Sequence, residues 1–364
     1  MHPRIAPLLT ALLLTVACDG GKTDAKADAK KTDAKAADAK ADDAKADDAK
    51  VADAKADDTK APDTKAADDA AKEAEERKAR VAKGLAELEE WKTAEATRWT
   101  DEVEAEAKRL AESDWKDASE ALTAVLASKH RHPTNVERDP YRHPAETLAF
   151  LGLRPDMTVV EVGPGWGWYT EILAPVLAKH GKLLVTDYDP AGPEDEGTTL
   201  YARRFQAFMA RSPSAYGKIE RIVQKDNKTL DLGPDGSADM VLVVRGLHGW
   251  VNRGVFDENV KKIHAALEPG GVAAIVQHRA NDDAKPEESA DKGYLPQPWV
   301  VERFTAAGFT LEEASEINAN PKDTKDYAEG VWTLPPTLTL GETDKAKYVE
   351  IGESDRMTLR FRKP

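Results

Sequence analysis

The feature that most constrains this chain is a glycine-rich segment between a hydrophobic run and a helical pattern. Residues 159–169 read Val-Val-Glu-Val-Gly-Pro-Gly-Trp-Gly-Trp-Tyr. Glycines at such a junction let the backbone turn tightly, and they let a ligand approach main-chain N–H groups at the start of a helix. The segment therefore predicts a strand, a ligand-binding loop and a helix, in that order.

From Pro133 onward strand-like and helical patterns alternate, which is typical of a parallel sheet with helices on both faces. We expect an α/β fold with seven strands, at about 157–162, 182–187, 219–224, 238–244, 271–278, 309–317 and 356–362. The intervening helices are expected near 144–151, 169–179, 203–211, 257–267 and 298–307. Pro269-Gly270-Gly271 predicts a turn before the fifth strand.

An acidic residue follows the glycine-rich segment at the distance used by nucleotide-binding proteins. The strand-like run Leu183–Thr186 ends in Asp187, and an acid at this point can accept both ribose hydroxyls. A dinucleotide fingerprint requires Gly-x-Gly-x-x-Gly, but the third glycine here, Gly167, comes one residue early, and Trp168 stands where glycine or alanine is expected. This spacing disfavours a nicotinamide cofactor.

The pattern Glu-x-Gly-x-Gly-x-Gly resembles motif I of class I S-adenosylmethionine (SAM)-dependent methyltransferases. The resemblance implies a Rossmann-like, seven-stranded, mostly parallel sheet and SAM as cofactor. It also implies that the amino-acid part of SAM contacts Glu161, Gly163, Gly165 and Gly167, and that Asp187 binds the ribose.

The resemblance further implies a place for adenine, near Asp226 or Asn227, which follow the run 222–225. From about residue 130 to the end, the chain resembles a group of predicted methyltransferases that are often exported and have no settled substrate. Three stretches carry this similarity, at 141–148, 168–175 and 316–323.

Polar residues just after the fourth and fifth strands are candidates for catalysis, because open parallel sheets bind ligands beyond the carboxyl ends of their strands. Arg245 and His248 follow the fourth strand, and His278 and Arg279 follow the fifth. In class I methyltransferases the end of the fourth strand commonly meets the methyl acceptor. We therefore interpret His248 as a general base or an acceptor-positioning group, and Arg245 with Arg279 as ligands for a carboxylate or phosphate. Hydrogen bonding to loop carbonyls is the structural alternative for each of them.

A long insertion precedes the last strand, and its aromatic and polar residues predict a lid over the site. The insertion covers residues 322–340 and contains Trp332 and Pro335-Pro336. Just before it, Glu316 and Asn318 are further site candidates.

Aromatic residues in the glycine loop allow two interpretations. Trp166, Trp168 and Tyr169 can present a π face to the positive sulfonium, or they can pack the first helix on the sheet. We expect no metal site, because no local pair of histidines or cysteines fixes ligands. We expect no serine hydrolase site, because no Gly-x-Ser-x-Gly motif is present.

Residues 73–130 predict a helical extension of the sheet domain, which is assigned to 131–364. Apolar residues recur at spacings of three and four, which indicates one buried face per helix. We expect two or three helices, interrupted at Gly84 and near Ser113-Asp114. Three tryptophans of this stretch are expected in the core: Trp91, Trp99 and Trp115.

The first 72 residues predict no globular structure. Residues 19–72 repeat aspartate, alanine and lysine, and a segment this poor in apolar residues cannot offset its ordering entropy by burial. Before them, the apolar run Ile5–Ala17 and Cys18 resemble the signal peptide and lipobox of a bacterial lipoprotein, which implies lipidation of Cys18. Thr15 departs from the usual leucine of the lipobox. We therefore predict a lipid-anchored protein of the cell envelope on a disordered tether; the alternative is an ordinary secretory signal and a secreted protein.

The net charge of −14 argues against a nucleic-acid partner, because phosphate binding needs a concentrated basic face. The leading hypothesis is a SAM-dependent methyltransferase acting on a small or polar acceptor. A second is an envelope-anchored binding protein that uses the same pocket for another nucleoside or metabolite. A third is a tethered module whose helices at 70–129 bind a partner.

Overall fold

The computed structural model describes residues 64–364, in which seven strands form one sheet. The strands are β1 (Thr158–Val162), β2 (Lys182–Asp187), β3 (Glu220–Val223), β4 (Ala238–Val244), β5 (Leu267–His278), β6 (Thr310–Ser315) and β7 (Arg356–Arg362). Each lies where the hydrophobic pattern predicts a strand. The signal-like segment, Cys18 and most of the lysine-aspartate-alanine stretch lie outside the described residues.

The strand order is β3-β2-β1-β4-β5-β7-β6. Strands β1 to β5 pair in parallel, whereas β7 runs antiparallel between β5 and β6. This is a Rossmann-like, seven-stranded, mostly parallel sheet, and the predicted fold class is confirmed. The chain order reverses between β1 and β4, and in open α/β sheets such a reversal opens a crevice at the carboxyl ends of the strands.

Fourteen helices and one 3-10 turn connect and extend the strands in the described residues. They are α1 (Thr64–Arg98), α2 (Asp101–Glu112), α3 (Ala118–Leu126), α4 (Pro133–Val136), α5 (Asp139–Arg142), α6 (Pro144–Phe150), α7 (Thr170–Leu177), α8 (Gly197–Ala210), α9 (Pro213–Tyr216), α10 (Leu247–Asn252), α11 (Phe256–Ala266), α12 (Pro286–Ala290), α13 (Gln297–Ala306) and α14 (Lys345–Ile351), with the 3-10 turn at Gly330–Thr333. The five helices predicted for the sheet domain correspond to α6, α7, α8, α11 and α13.

Helices cover both faces of the sheet, so residues 159–161 of β1 and 240–243 of β4 are buried in succession rather than alternately. On one face, buried Leu110, Ile172 and Phe208 bring α2, α7 and α8 into a single core. On the other face, buried Ile263 and Phe304 bring α11 and α13 into a second core.

The predicted turn at residues 269–271 is a bulge inside the bounds of β5. Ala238 pairs with Leu267, but Met240 pairs with Val272, so the β5 side carries the additional residues. Gly270 takes a φ of 84° there, which glycine adopts without strain. The segment therefore turns as predicted but keeps its place in the sheet.

The helical extension packs on the sheet domain, and two of its predicted features differ in the structure. α1 begins at Thr64, inside the stretch assigned to the tether, and it runs through Gly84 without interruption. A Cβ at Gly84 would lie 2.4 Å from Leu200 Cδ2, so this glycine permits close packing of α1 on α8. The interruption near Ser113 is present, because α2 ends at Glu112.

The tryptophans of the extension contact the sheet domain. Trp99 and Trp115 pack against the first core, and Trp91 packs against Trp166 at 5.6 Å between ring centroids. Among residues 64–364, no helix is both long and apolar enough to cross a membrane.

A buried ion-pair group joins the end of α1 to the sheet domain. Glu95 is 3% exposed and contacts Arg98 at 2.6 Å and Arg211 at 2.7 Å. Burial raises the pKa of Glu95, but the two guanidiniums outweigh it and hold the pKa below its usual value. The extension is therefore tied to the domain by charge as well as by apolar packing.

Candidate functional site

A cavity of about 320 Å³ lies at the carboxyl ends of the central strands. Its wall is formed by the loop after β1, the ends of β2, β3, β4 and β5, the segment containing α4 and α5, and one residue of the β6–β7 connection. Eight of the eleven predicted cofactor-binding and catalytic residues line it: Glu161, Gly163, Gly165, Asp226, Asn227, Arg245, His248 and His278.

The glycine loop has the conformation that its sequence predicts. Gly163, Gly165 and Gly167 have φ values of 64°, 57° and 80°, a region that side-chain-bearing residues rarely adopt. A Cβ at Gly163 or Gly165 would meet no described atom within 4 Å, so open space adjoins both residues at the cavity wall. At Gly167 a Cβ would lie 2.5 Å from Phe208, so this third glycine serves packing on α8.

Glu161 lies at the end of β1 and forms part of the cavity wall. Its side chain is buried and accepts a hydrogen bond from Thr170 Oγ1 at 2.7 Å. Burial raises the pKa of Glu161 to about 7, although the hydrogen bond from Thr170 acts in the opposite direction. A cationic group entering the cavity would restore the charged form of this carboxylate.

Asp187, the predicted ribose ligand, contacts other groups of the protein, and its predicted role stays a prediction. Its chain neighbours Thr186 and Tyr188 line the cavity. Asp187 itself is not among the described residues that line it. Its Oδ2 accepts a hydrogen bond from Arg221 Nε at 2.7 Å, and its Oδ1 accepts one from Tyr188 N at 2.8 Å. The parallel register sets Val185 against Arg221, and the arginine thereby reaches the acid.

Asp226 and Asn227, the predicted adenine contacts, lie in the loop after β3 and line the cavity. The Asp226 carboxylate accepts hydrogen bonds from Lys228 N at 2.8 Å and Thr229 N at 2.7 Å. These bonds lower the pKa of Asp226 and fix the loop. The side chain of Asp226 thus shapes this side of the cavity.

Arg245 and His248 occupy the opposite side, after β4. Arg245 has a φ of 57°, an uncommon conformation for a residue with a side chain, and its N–H donates to Val276 O at 2.7 Å. Strained backbone of this kind clusters at ligand sites when the surrounding structure enforces it. Here the first residue after β4 is forced into the cavity wall.

The hydrogen bonds of Gln277 indicate how His248 is protonated. Gln277 Oε1 accepts from Leu247 N at 3.1 Å, and its Nε2 donates to Gly293 O at 3.0 Å, which fixes the orientation of the amide. The same Nε2 lies 3.4 Å from His248 Nδ1. Because the amide donates, Nδ1 accepts, and neutral His248 then carries its proton on Nε2. This contact favours His248 as a hydrogen-bond donor that positions the acceptor rather than as a base.

His278 is a buried part of the wall. Its Nδ1 lies 2.5 Å from Ser354 Oγ, and its ring lies 6.1 Å from that of His248. Burial lowers the pKa of His278 well below its usual value, and the nearby charge of Arg245 lowers it further. His278 is therefore neutral at physiological pH.

Arg279 departs from the prediction that it binds the acceptor. Arg279 is not among the described residues that line the cavity. Its guanidinium makes paired contacts with Glu316 at 2.6 Å and with Asp355 at 2.9 Å. Because β7 runs antiparallel to β5, the start of β7 lies beside Arg279. The residue is a structural ion pair in the connection to β7.

Glu316 and Asn318, the further candidates, also serve structure. Glu316 is the partner of Arg279. Asn318 is 3% exposed, and its Nδ2 donates to Thr147 Oγ1 and Thr358 Oγ1, both at 2.9 Å. The conspicuous stretch at 316–323 therefore fastens the connection between β6 and β7 to the sheet.

The insertion at 322–340 contributes one cavity residue, Trp332, which lies in the 3-10 turn. Its ring meets His248 edge to face at 5.8 Å between centroids. Val331 and Trp332 pack with Tyr294 in a small separate core. One residue of the predicted lid segment thus forms part of the cavity wall beside His248.

The aromatic residues of the glycine loop already hold cations of the protein. Arg204 lies over the Trp166 ring at 4.5 Å, and Arg142 lies over the Trp168 ring at 4.8 Å. Trp168 Nε1 also donates to Asn135 O at 2.9 Å. Both tryptophans line the cavity, but these contacts favour the packing interpretation over a sulfonium contact.

Sequence reasoning missed a cluster of charged residues at the cavity wall, in which three arginines surround one glutamate. We call it the arginine cluster, and its members are Arg138, Arg142, Arg356 and Glu353. The carboxylate of Glu353 accepts hydrogen bonds from Arg138 at 2.9 Å, Arg142 at 3.0 Å and Arg356 at 2.7 Å. Arg138 and Arg142 also line the cavity. The signal in the sequence was two arginines four residues apart, in a stretch noted for resemblance alone.

A metal site is not among the features of this region. Within the described part of the chain, no group of three histidine, cysteine, aspartate or glutamate residues is arranged to hold a metal ion. His143 has a φ of 42° and connects α5 to α6.

Comparison with known proteins gives matches among solved structures. No protein-family model and no curated protein matches the chain. A SAM-dependent methyltransferase from Aquifex aeolicus is 17% identical, with 64% of this chain and 95% of that chain covered and a TM-score of 0.41. The N-methyltransferase NodS from Bradyrhizobium japonicum is 16% identical, with 63% and 96% covered and a TM-score of 0.38.

A third similar structure is the [4+2]-cyclase SpnF, which is 16% identical, with 61% of this chain and 80% of that chain covered and a TM-score of 0.41.

Proposed function

We propose that this protein binds SAM in the cavity and transfers its methyl group to a small, polar acceptor. The observation that carries the proposal is the glycine loop: Gly163 and Gly165 adjoin open space at the cavity wall in a conformation suited to glycine. The loop lies at the end of the central strand β1, beside the point where the strand order reverses. That is where sheets of this type bind nucleotide-like ligands.

The chain's residues fit the amino-acid part of such a cofactor. Glu161 is a desolvated carboxylate at the cavity wall, and it gains most from a neighbouring ammonium group. The N–H groups and open faces of the glycine loop leave room for a ligand backbone. When bound, SAM supplies an electrophilic methyl group on a positive sulfonium.

Residues on the other side of the cavity are suited to align a methyl acceptor. In-line methyl transfer depends mainly on orientation of the reactants and exclusion of water. Trp332 covers this side, His248 presents a donor for the acceptor, and Arg245 adds a positive charge at the wall.

We do not include a contact between Asp187 and the ribose of SAM in this proposal, because Asp187 pairs with Arg221. The same observation favours the second candidate function. An envelope-anchored binding protein would keep the glycine loop and use the cavity for another nucleoside or metabolite, without needing a ribose acid. The two candidates differ in whether SAM binds and is consumed.

Calorimetry with SAM and S-adenosylhomocysteine tests the proposal on the full-length chain. Gly163→Ala is paired with the control Gly236→Ala, because both glycines have nearly the same φ, 64° and 65°, and open space around the added Cβ. Both changes strain the backbone equally, but Gly163 lines the cavity. We expect at least a tenfold loss of affinity for Gly163→Ala and no loss for the control. Absence of SAM binding by the folded wild-type protein would favour the binding-protein alternative.

We further propose that Cys18 is lipidated and anchors the protein in the cell envelope. The proposal is supported by the apolar run before Cys18 and by the lysine-aspartate-alanine stretch that separates it from α1. Partition of wild type and Cys18→Ala between detergent and aqueous phases tests it. Wild type is expected in the detergent phase and the variant in the aqueous phase; aqueous partition of both would contradict lipid anchoring.

A further inference from the structure

Arg142 has a buried donor that the protein leaves unused. The residue is 2% exposed and lines the cavity. Its Nε donates to both carboxylate oxygens of Glu353, each at 3.0 Å. Its Nη2 is buried and has no hydrogen-bond partner anywhere in residues 64–364. Because buried polar groups are almost always paired, this nitrogen indicates a partner supplied by a ligand.

The charge around Arg142 points to the kind of ligand. Three guanidiniums of the arginine cluster share the single carboxylate of Glu353, so the cluster carries a net positive charge. Burial raises the pKa of Glu353, but Arg138 and Arg356 outweigh it and hold the pKa below its usual value. Glu353 is thus ionised, and the positive charge that remains is available to an anion.

Two further groups of the wall add donors and positive charge. Arg245 lines the cavity and lies close enough to Glu353 to lower its pKa. His248 lines the same side and carries its proton on Nε2 through the contact with Gln277. A planar guanidinium with neighbouring donors matches the geometry of a carboxylate or a phosphate.

Two parts of the cavity wall therefore have opposite polarity, and they adjoin each other, since Arg142 stacks on Trp168 of the glycine loop. Glu161 at the glycine loop suits a cation, whereas the arginine side suits an anion. Tyr169 also lines the cavity, and the charges of both Glu161 and Arg245 act on its hydroxyl. A cofactor with an ammonium group and an acceptor with an anionic group would each meet the opposite charge.

Given the proposed function, we infer that Arg142, with Arg138 and Arg245, binds an oxyanion of the methyl acceptor, a carboxylate or a phosphate group. The acceptor is then a small anionic molecule held by its charged group at the arginine side. This inference concerns the acceptor and leaves the cofactor contacts unchanged.

Phosphorus NMR titration of inorganic phosphate into the full-length protein, saturated with S-adenosylhomocysteine, tests the inference. Arg142→Met is the main variant, since Glu353 keeps Arg138 and Arg356 as partners. The control is Arg360→Met, which also removes an arginine that stacks on an aromatic ring and pairs with a glutamate, but on β7 away from the cavity. Acetate serves as competitor and separates a carboxylate site from a phosphate site.

We expect phosphate affinity to fall at least tenfold in Arg142→Met and to stay within twofold of wild type in Arg360→Met. Affinity for S-adenosylhomocysteine is expected to stay within twofold in both. Arg142→Lys, which keeps the charge beside Glu353 but lacks the planar fork, is expected to bind phosphate several-fold more weakly than wild type. This second variant gives the test a readout even where the methionine variant fails to fold.

Unchanged phosphate affinity in the Arg142 variants, or no binding of phosphate or acetate by wild type that still binds S-adenosylhomocysteine, would overturn the inference and leave the proposed function standing. The opposite failure is distinguishable. Phosphate binding that depends on Arg142, in a protein that binds no S-adenosylhomocysteine, would support the anion site and contradict the proposed cofactor.

Discussion

The two sides of the cavity each contain a buried glutamate, but the two glutamates have opposite surroundings. Glu161 is desolvated beside a threonine hydroxyl, and its pKa rises to about 7. Glu353 is equally buried but meets three guanidiniums, and its pKa falls below the usual value. The glycine side is therefore short of positive charge and the arginine side has positive charge to spare. Each imbalance is of the kind that a bound ligand removes.

The largest expected effect comes from Glu353→Gln. The change leaves the arginines of the cluster buried without an anion, and breaking a buried pair in this way typically costs about 3–5 kcal/mol. We expect a loss of about 3 kcal/mol in the free energy of unfolding, measured by urea denaturation, and partial recovery in phosphate. Glu313→Gln, which removes an exposed partner of Arg360, is the control and is expected to change stability by less than about 1 kcal/mol. An equal loss of stability in both variants would contradict the expectation that Glu353 is needed to neutralise the buried arginines of the cluster.

Glu161→Gln is expected to act in the opposite direction. The folded state raises the pKa of Glu161 from 4.5 to about 7, so the folded protein binds a proton that the unfolded chain releases between these values. Stability from this group is therefore lost as pH rises through that window. At pH 8 we expect Glu161→Gln to stabilise the protein by about 1–2 kcal/mol, and near pH 4 to have little effect. Destabilisation at pH 8 would show that Glu161 has a compensating partner.

The affinity for S-adenosylhomocysteine is expected to rise about tenfold between pH 6 and pH 8. Glu161 must be ionised to attract the ligand's ammonium group, and with a pKa of about 7 its ionised fraction grows by that factor over this range. Calorimetry at several pH values measures the rise, and proton release on binding should accompany it below pH 7. The Glu161→Gln variant should lose this dependence; a pH-dependent variant would assign it to another group.

The smallest expected effect is that of Asp187→Asn on the same affinity. The carboxylate of Asp187 is engaged by Arg221 and by Tyr188 N, and it does not belong to the cavity lining of the described chain. We expect less than a twofold change in calorimetric affinity. A loss of tenfold or more would mean that Asp187 turns to the ribose when the ligand binds.

The glycine side could be predicted from sequence because it is nearly contiguous. Residues 159–169 specify a strand end, a glycine turn and a helix start, and local backbone preferences decide all three. The positions of the strands could also be predicted from the sequence, since buried parallel strands appear in it as apolar runs. The fold class followed from their alternation with helices.

The sequence indicated Arg245, but the cluster of Arg138, Arg142 and Arg356 around Glu353 could not be predicted, because it forms by contact between distant segments. Arg142 lies in α5, and Glu353 lies just before β7, more than 200 residues later in the chain. The Nε atom of Arg142 donates a hydrogen bond to Glu353 Oε1 at 3.0 Å. Arg279 was assigned to the site because it follows β5, but the antiparallel insertion of β7 brings Asp355 to it. Parallel pairing of β3 with β2 withdraws Asp187 in the same way. Strand neighbours, rather than strand ends, decide the partners of Arg279 and Asp187.

The central claim is that the cavity has two sides of opposite charge for two ligands, and a crystal structure of the full-length protein with S-adenosylhomocysteine and phosphate tests it most directly. We predict the ammonium group of S-adenosylhomocysteine beside Glu161 and the glycine loop, and phosphate within hydrogen-bond distance of Arg142 Nη2. S-adenosylhomocysteine bound with its ammonium group at the arginine side, or phosphate at the glycine loop with Arg142 Nη2 still unpaired, would contradict the account.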